Sequence, residues 1–166
     1  MKLSRYITEE AIKLDMATRI EPLGEDESEA KWLQSAKEQV LAELVSLLDE
    51  SHRIGNYNKL LIDFINRERK ATTALGQGIA VPHIRSMQAK DFMLAFARSP
   101  EGYPFDSPDS KPVHLFFIMA APPYEDSLYL KAFKALVEKL QYDGFRQELL
   151  EATHPGEVIR AIRAME

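Results

Sequence analysis

At 166 residues, with 45% apolar and 28% charged side chains, the chain has the composition of one compact folded domain with a sizeable core. A net charge of −5 argues against a nucleic-acid surface, and the absence of cysteine excludes disulfides, thiolate catalysis and Cys-ligated metals. The opening "MKLSRYITEEAIKLD" lacks the apolar core of a signal peptide, and the longest apolar stretch, "VHLFFIMAAPP", is too short to span a bilayer, so a cytoplasmic protein without membrane insertion is expected.

The first distinctive segment is "EPLGEDESEAK", residues 21–31, with five carboxylates, a proline and a glycine, which reads as a solvated loop. After it, Trp32, Leu33, Ala36, Val40, Leu41, Leu44, Leu47 and Leu48 recur at spacings of three and four, predicting an amphipathic helix that ends near Asp49. A second helix is predicted over Asn58–Lys70, with Leu60, Leu61, Phe64 and Ile65 on its inner face. Strand-like segments follow. "GIAVPH" is one, and "DFMLAFARS" sets Phe92, Leu94 and Phe96 against Met93, Ala95 and Ala97. "VHLFFIMA" is apolar on both faces, as a central strand covered by helices on both sides should be. "PEGYPFDSPDSKP", between the last two, is predicted to be a turn-rich loop. Helical period returns from Ser127, with Tyr129, Phe133, Leu136, Val137 and Leu140 in one stripe and Glu125, Asp126 and Ser127 as capping residues. A shorter helix runs through Leu150, and Pro155 opens a last one through Ala164. The sum is an α/β fold: one domain over residues 1–166, with a small mixed β-sheet between layers of α-helix.

Most catalytic classes find no support. His52, His83, His114 and His154 lack metal-ligand spacing, and His114 within the apolar strand reads as structural. His52 and His154 sit in helix-end or loop contexts. "LGQGIA" is neither a P-loop nor a dinucleotide fingerprint, and no GxSxG elbow occurs. What remains is "TALGQGIAVPHIR", residues 73–85. There Gly76 and Gly78 permit a tight backbone turn and close approach, while Pro82 biases Val81 toward extended geometry and limits the orientation of His83. A neutral imidazole so placed can be a nucleophile. It can equally be a satisfied histidine at a strand end.

The wider segment "RERKATTALGQGIAVPH" resembles the active-site segment of the type-2 (fructose/mannitol) enzyme IIA domains of the phosphoenolpyruvate:sugar phosphotransferase system, which include the nitrogen-regulatory IIA protein. Glu68, Leu75, Gly76, Ile79, Ala80, Val81, Pro82 and His83 all fit that pattern, and the likeness covers nearly the whole chain, with residues 22–31 resembling a local insertion. The resemblance implies a phosphotransferase component that needs no cofactor or metal. His83 would accept a phosphoryl group from the histidine phosphocarrier protein, then pass it to an enzyme IIB domain or use it as a regulatory signal. Arg67 would stabilise phosphoryl charge, although a helix-end arginine can also be merely solvated. Thr73, Gly76, Gly78 and Tyr129 would line the phosphoryl site. Two residues depart from the pattern: Ile84 stands where the family has glycine, alanine or cysteine, and is expected to crowd the approach to His83. Tyr129 stands where a second histidine is common; it can donate a hydrogen bond but cannot become cationic, and can also serve as a core residue. A chain carrying no IIB or membrane region favours a nitrogen-regulatory role over sugar transport. The other reading is a IIA-like regulatory binding module with little transfer activity.

Overall fold

A computed structural model describes residues 1–50, 53–125 and 127–166, so His52 and the capping role assigned to Asp126 lie outside the described residues. Two short 3-10 turns, Leu3–Arg5 and Glu9–Ala11, precede β1 (Ile12–Lys13). α1 (Glu29–Asp49) and α2 (Tyr57–Lys70) follow. Then come β2 (Ala74–Gly76), β3 (Ile79–Ala80), β4 (His83–Arg85), β5 (Met93–Tyr103) and β6 (Val113–Ala121). α3 (Ser127–Leu140), α4 (Asp143–Glu151) and α5 (Pro155–Ala164) close the chain.

Local chemistry explains where the helices begin. The Ser28 hydroxyl accepts the Lys31 N–H at 3.4 Å, so α1 starts at Glu29 and the last three residues of the acidic 22–31 segment are helical. That segment is tied back to α1, because the Trp32 indole donates to the Glu21 carbonyl at 2.7 Å. Asn56 caps α2 through the Lys59 N–H, one residue before the helix itself and two before its expected start. Glu125 accepts from the Leu128 N–H at the head of α3. The His154 ring accepts the Gly156 N–H and caps α5, with Pro155 at its first position, where no donor is needed.

The sheet is mixed, in the order β1-β5-β6-β3-β2, with β4 also pairing to β6. β5 and β6 are antiparallel; β1 is parallel to β5, and β3 and β4 are parallel to β6. β6 is the central strand and sorts its side chains by period two. Leu115, Phe117, Met119 and Ala121 enter one core with Phe92, Leu94, Phe96, Leu136, Leu149 and Ile162. Phe116, Ile118 and Ala120 enter the other with Leu41, Leu44, Leu60, Phe64, Met93 and Ala95. Thus α3, α4 and α5 cover one face and α1 and α2 the other, the two-sided arrangement the apolar strands predict.

One expected loop is partly strand. β5 continues through Pro100 to Tyr103, with a register shift between Arg98 and Tyr103. Gly102 makes the irregularity possible: its φ is +84°, and a Cβ there would lie 2.7 Å from Pro112 Cβ and 2.8 Å from the His114 ring. His114 is structural as expected, its Nδ1 3.0 Å from the Ser99 carbonyl.

Candidate active site

β3 and β4 form one extended run against β6 in constant register, interrupted where Pro82 can donate no hydrogen bond. Alternation along it decides what each residue faces. Ile79 and Val81 enter the core beneath α3, Ala80 and Ile84 the core beneath α1 and α2. His83, at an odd position, emerges on the α3 side. Its ring lies 4.3 Å from Phe133 and 6.1 Å from Tyr129, centroid to centroid. Ile84 is 6% exposed and packs in the opposite core. Its expected crowding of His83 is therefore corrected: neighbouring strand residues point to opposite faces, so the β-branched side chain is a core residue.

The His83 ring is held by its own strand. Nδ1 lies 2.6 Å from the Val81 carbonyl, and a carbonyl only accepts, so Nδ1 carries the proton and Nε2 keeps a free lone pair. Burial pushes the His83 pKa below its ordinary value; the Val81 carbonyl opposes this, the Arg67 charge reinforces it, and Glu68 opposes it. The lowered pKa favours the neutral ring at pH 7.

Arg67 arrives from the last turn of α2. It is half-buried, and one guanidinium nitrogen donates to the Ala71 carbonyl at 2.9 Å. Its charge reaches both His83 and Tyr129. Tyr129, on α3, is 7% exposed, and burial raises its phenol pKa against the opposing charges of Arg85 and Arg67. It is both a core residue and a neighbour of the histidine. The Arg85 guanidinium lies 5.2 Å from the Tyr129 ring centre.

Three residues expected at the phosphoryl site are placed differently. Ile79 lies opposite Leu115 and His83 opposite Met119, so about 13 Å of strand separates the start of β3 from the histidine. Gly76 and Gly78 are farther still, with φ of +88° and +78° in a turn next to Asp109 and His114. They shape the β2–β3 hairpin and do not approach His83. The Asp109 carboxylate accepts the Gln77 N–H there at 2.9 Å. Thr73 is buried, and its N–H and hydroxyl both donate to the Glu68 carboxylate, at 2.7 and 2.5 Å.

Phe133 reads in sequence as one more apolar residue of a helix stripe; only the crossing of α3 over β4 makes it a wall of the site. Arg85 was detectable from period two, since it shares a strand face with His83. Among the described residues, no group of three or more His, Asp or Glu side chains is arranged to hold a metal ion, and no helix is long and apolar enough to cross a membrane.

The fold is thus a mixed sheet between two helical layers, with His83 at the start of β4 and Arg67 on the last turn of α2. The chain belongs to the family described as "Phosphoenolpyruvate-dependent sugar phosphotransferase system, EIIA 2", whose model matches residues 28–165. It is similar to the fructose-specific EIIA component of Haloferax volcanii, at 34% identity over 118 residues, 71% of this chain and 77% of that one. It is also similar to the fructose-specific EIIABC component of Bacillus subtilis, at 29% identity over 162 residues; the match covers 98% of this chain but only 23% of that longer protein. Among solved structures, the nitrogen regulatory protein IIA-Ntr of Neisseria meningitidis superposes with a TM-score of 0.81 at 26% identity, covering 96% of this chain and 98% of that one. Membership gives the chain the general EIIA-like function of phosphotransfer or its regulatory use.

Proposed function

We propose that the chain is a phosphocarrier that accepts a phosphoryl group on His83 Nε2 from the histidine phosphocarrier protein. It then passes the group to an EIIB domain or holds it as a regulatory signal. The observation that carries this reading is the Nδ1–Val81 contact, which leaves Nε2 as the nucleophile of a neutral ring. The Nε2 lone pair attacks the phosphorus of the donor phosphohistidine, and the donor P–N bond breaks with its electron pair returning to the donor ring. No proton has to move. The proton stays on Nδ1, hydrogen-bonded to the Val81 carbonyl, and now belongs to an imidazolium that this carbonyl stabilises. A P–N to P–N exchange asks mainly for alignment and charge compensation. Arg67 supplies the charge, and Phe133 restricts the ring. Tyr129 places a neutral phenol near the phosphoryl position. Thr73 contributes behind the histidine, through Glu68, and not as a phosphoryl ligand.

Incubation with phosphoenolpyruvate, enzyme I and the histidine phosphocarrier protein should give an acid-labile phosphate on the wild type and none on His83→Ala. An unlabelled wild type would sink the reading. A regulatory use is the more natural of the two fates on one observation, the close superposition with a nitrogen regulatory protein over 96% of the chain. The fructose-specific relatives supply the transport reading. Mixing the labelled protein with a IIB domain separates them, because the phosphate leaves rapidly only in a transfer component.

A further inference from the structure

We propose that Lys37 and Glu68, an ion pair buried behind the site, are positioning residues that set which nitrogen of His83 is the nucleophile. This rests on the reading of His83 as the phosphoryl acceptor. Lys37 sits on α1, 46 positions before His83 in the sequence, and Glu68 on the last turn of α2. Lys37 Nζ lies 3.3 Å from Glu68 Oε2, with the two side chains only 5% and 2% exposed. The Lys37 ammonium also stands 5.4 Å from the centre of the Phe105 ring and 3.9 Å from an Asp106 carboxylate oxygen.

A buried ion pair is a poor device for stability, since a well-packed apolar pair of the same volume does as well or better. This pair is therefore informative for what its carboxylate holds. Oε2 accepts the Thr73 N–H and Oε1 accepts the Thr73 hydroxyl, so both oxygens grip one residue. The Thr73 carbonyl in turn accepts the Val81 N–H at 3.0 Å. Val81 is fully buried, and its own carbonyl accepts the hydrogen bond from the Nδ1–H of His83. A continuous chain of polar contacts thus runs from Lys37 through Glu68, Thr73 and Val81 to the imidazole. It crosses from the α1–α2 layer, through the sheet, to the ring on the α3 side.

Pro82 follows Val81 and leaves the backbone little freedom to compensate. The Val81 carbonyl is held in place from the Thr73 side, while the Pro82 carbonyl is held by the Met119 N–H at 2.9 Å. Loosening the Thr73 end lets the Val81 carbonyl turn from Nδ1. The ring then has no fixed tautomer, and part of the population presents Nδ1 as the lone-pair nitrogen. Glu68 acts on His83 through Val81 and does not touch the phosphoryl group.

The test reads the His83 tautomer directly, by long-range proton–nitrogen NMR of the 15N-labelled, unphosphorylated chain. The wild type should show one tautomer, with Nδ1 protonated. Lys37→Met/Glu68→Met removes both charges together and keeps side-chain volume, so no buried charge is stranded. There the ring nitrogens should move to the averaged shifts of mixed tautomers. The initial rate of phosphoryl acceptance should fall about tenfold to a hundredfold, the cost of a misaligned attacking atom. Thr73→Val removes only the hydroxyl contact and should shift the tautomer in the same direction by less; it decides the question if the double variant does not fold. A wild-type Nδ1 signal retained in the folded variants overturns the proposal, and so does a wild type without a fixed tautomer. A wild type that shows the tautomer but takes no phosphate would defeat the phosphocarrier reading alone and leave the positioning chain standing.

Discussion

Replacing Ile84 by alanine should weaken the fold and leave the chemistry alone. Ile84 follows the histidine directly, and by sequence it looks like an obstruction; by strand alternation it belongs to the core beneath α1 and α2, at 6% exposure. The substitution deletes three buried carbons. At about 0.8 kcal/mol per carbon that is roughly 2.4 kcal/mol of lost transfer energy. A residual cavity adds to it, placing the total near 3 kcal/mol, within the usual range of about 2–5 for such truncations. For a domain of this size each kcal/mol moves the midpoint by about 2–4 °C, so Tm should fall by roughly 6–12 °C. Urea unfolding gives the free energy, and phosphorylation at 20 °C, where both proteins are folded, gives the rate. The rate should stay within about twofold of wild type, because the removed atoms lie across the sheet from the imidazole. A rate that rises several-fold with a stability loss under about 1 kcal/mol would refute the reasoning, for it would put Ile84 on the histidine's face.

Arg67→Gln should lower the initial rate by about 10²–10³, the usual effect of deleting one preorganised charge-stabilising donor. It should also raise the His83 pKa, since the Arg67 charge now opposes protonation; NMR titration of the ring checks this, and an unmoved pKa would place the guanidinium too far away to matter. In the wild type the folded-state pKa of His83 is depressed. The unfolded chain therefore binds the proton first as pH falls below about 6.5. His83 then makes stability fall with pH from there down to its folded pKa and contributes no slope above; a His83→Gln variant should lack that component in urea titrations. Asp109 is held down to about 2 by the Ser107 hydroxyl first, then by the Gln77 and Lys111 N–H groups. Its contribution is present above its unfolded value and is lost only as pH falls through about 2. Asp109→Asn should speed hydrogen exchange at Gln77 at neutral pH; unchanged exchange would show that the hairpin turn does not depend on the charge.

The layers were legible in the sequence because both faces of β5 and β6 are buried, which forces an apolar residue at nearly every position of "FMLAFA" and "LFFIMAA". Helices α1, α3 and α5 were legible through period and capping chemistry. The tail of β5 was not: proline, glutamate and glycine at 100–102 spell a turn, and only the left-handed Gly102 packed under Pro112 and His114 lets a strand continue. The motif around His83 misled in a related way. Its residues are contiguous in sequence, and contiguity suggests a compact cradle. An extended chain does the opposite, carrying Gly76 and Gly78 to the far end of β6 from the histidine. Lys37 was invisible because a lysine among the polar positions of an amphipathic helix reads as solvated; nothing local announces that its partner is a glutamate on the next helix.

Adjacent residues of α2 divide the electrostatic work of the site. Arg67 lowers the His83 pKa and Glu68 raises it, so their fields on the ring oppose. The difference lies in where each is fixed. Arg67 stays half-exposed and hydrogen-bonds the Ala71 carbonyl just beyond the helix, where a cation also suits the negative end of the helix dipole. Glu68 points inward, and its carboxylate is paired with Lys37 at 3.3 Å. On the phosphocarrier reading, an arriving phosphoryl group would meet an arginine already constrained by its bond to the Ala71 carbonyl, with the Glu68 carboxylate paired to Lys37. Charge stabilisation of this kind needs little reorganisation at the moment of transfer.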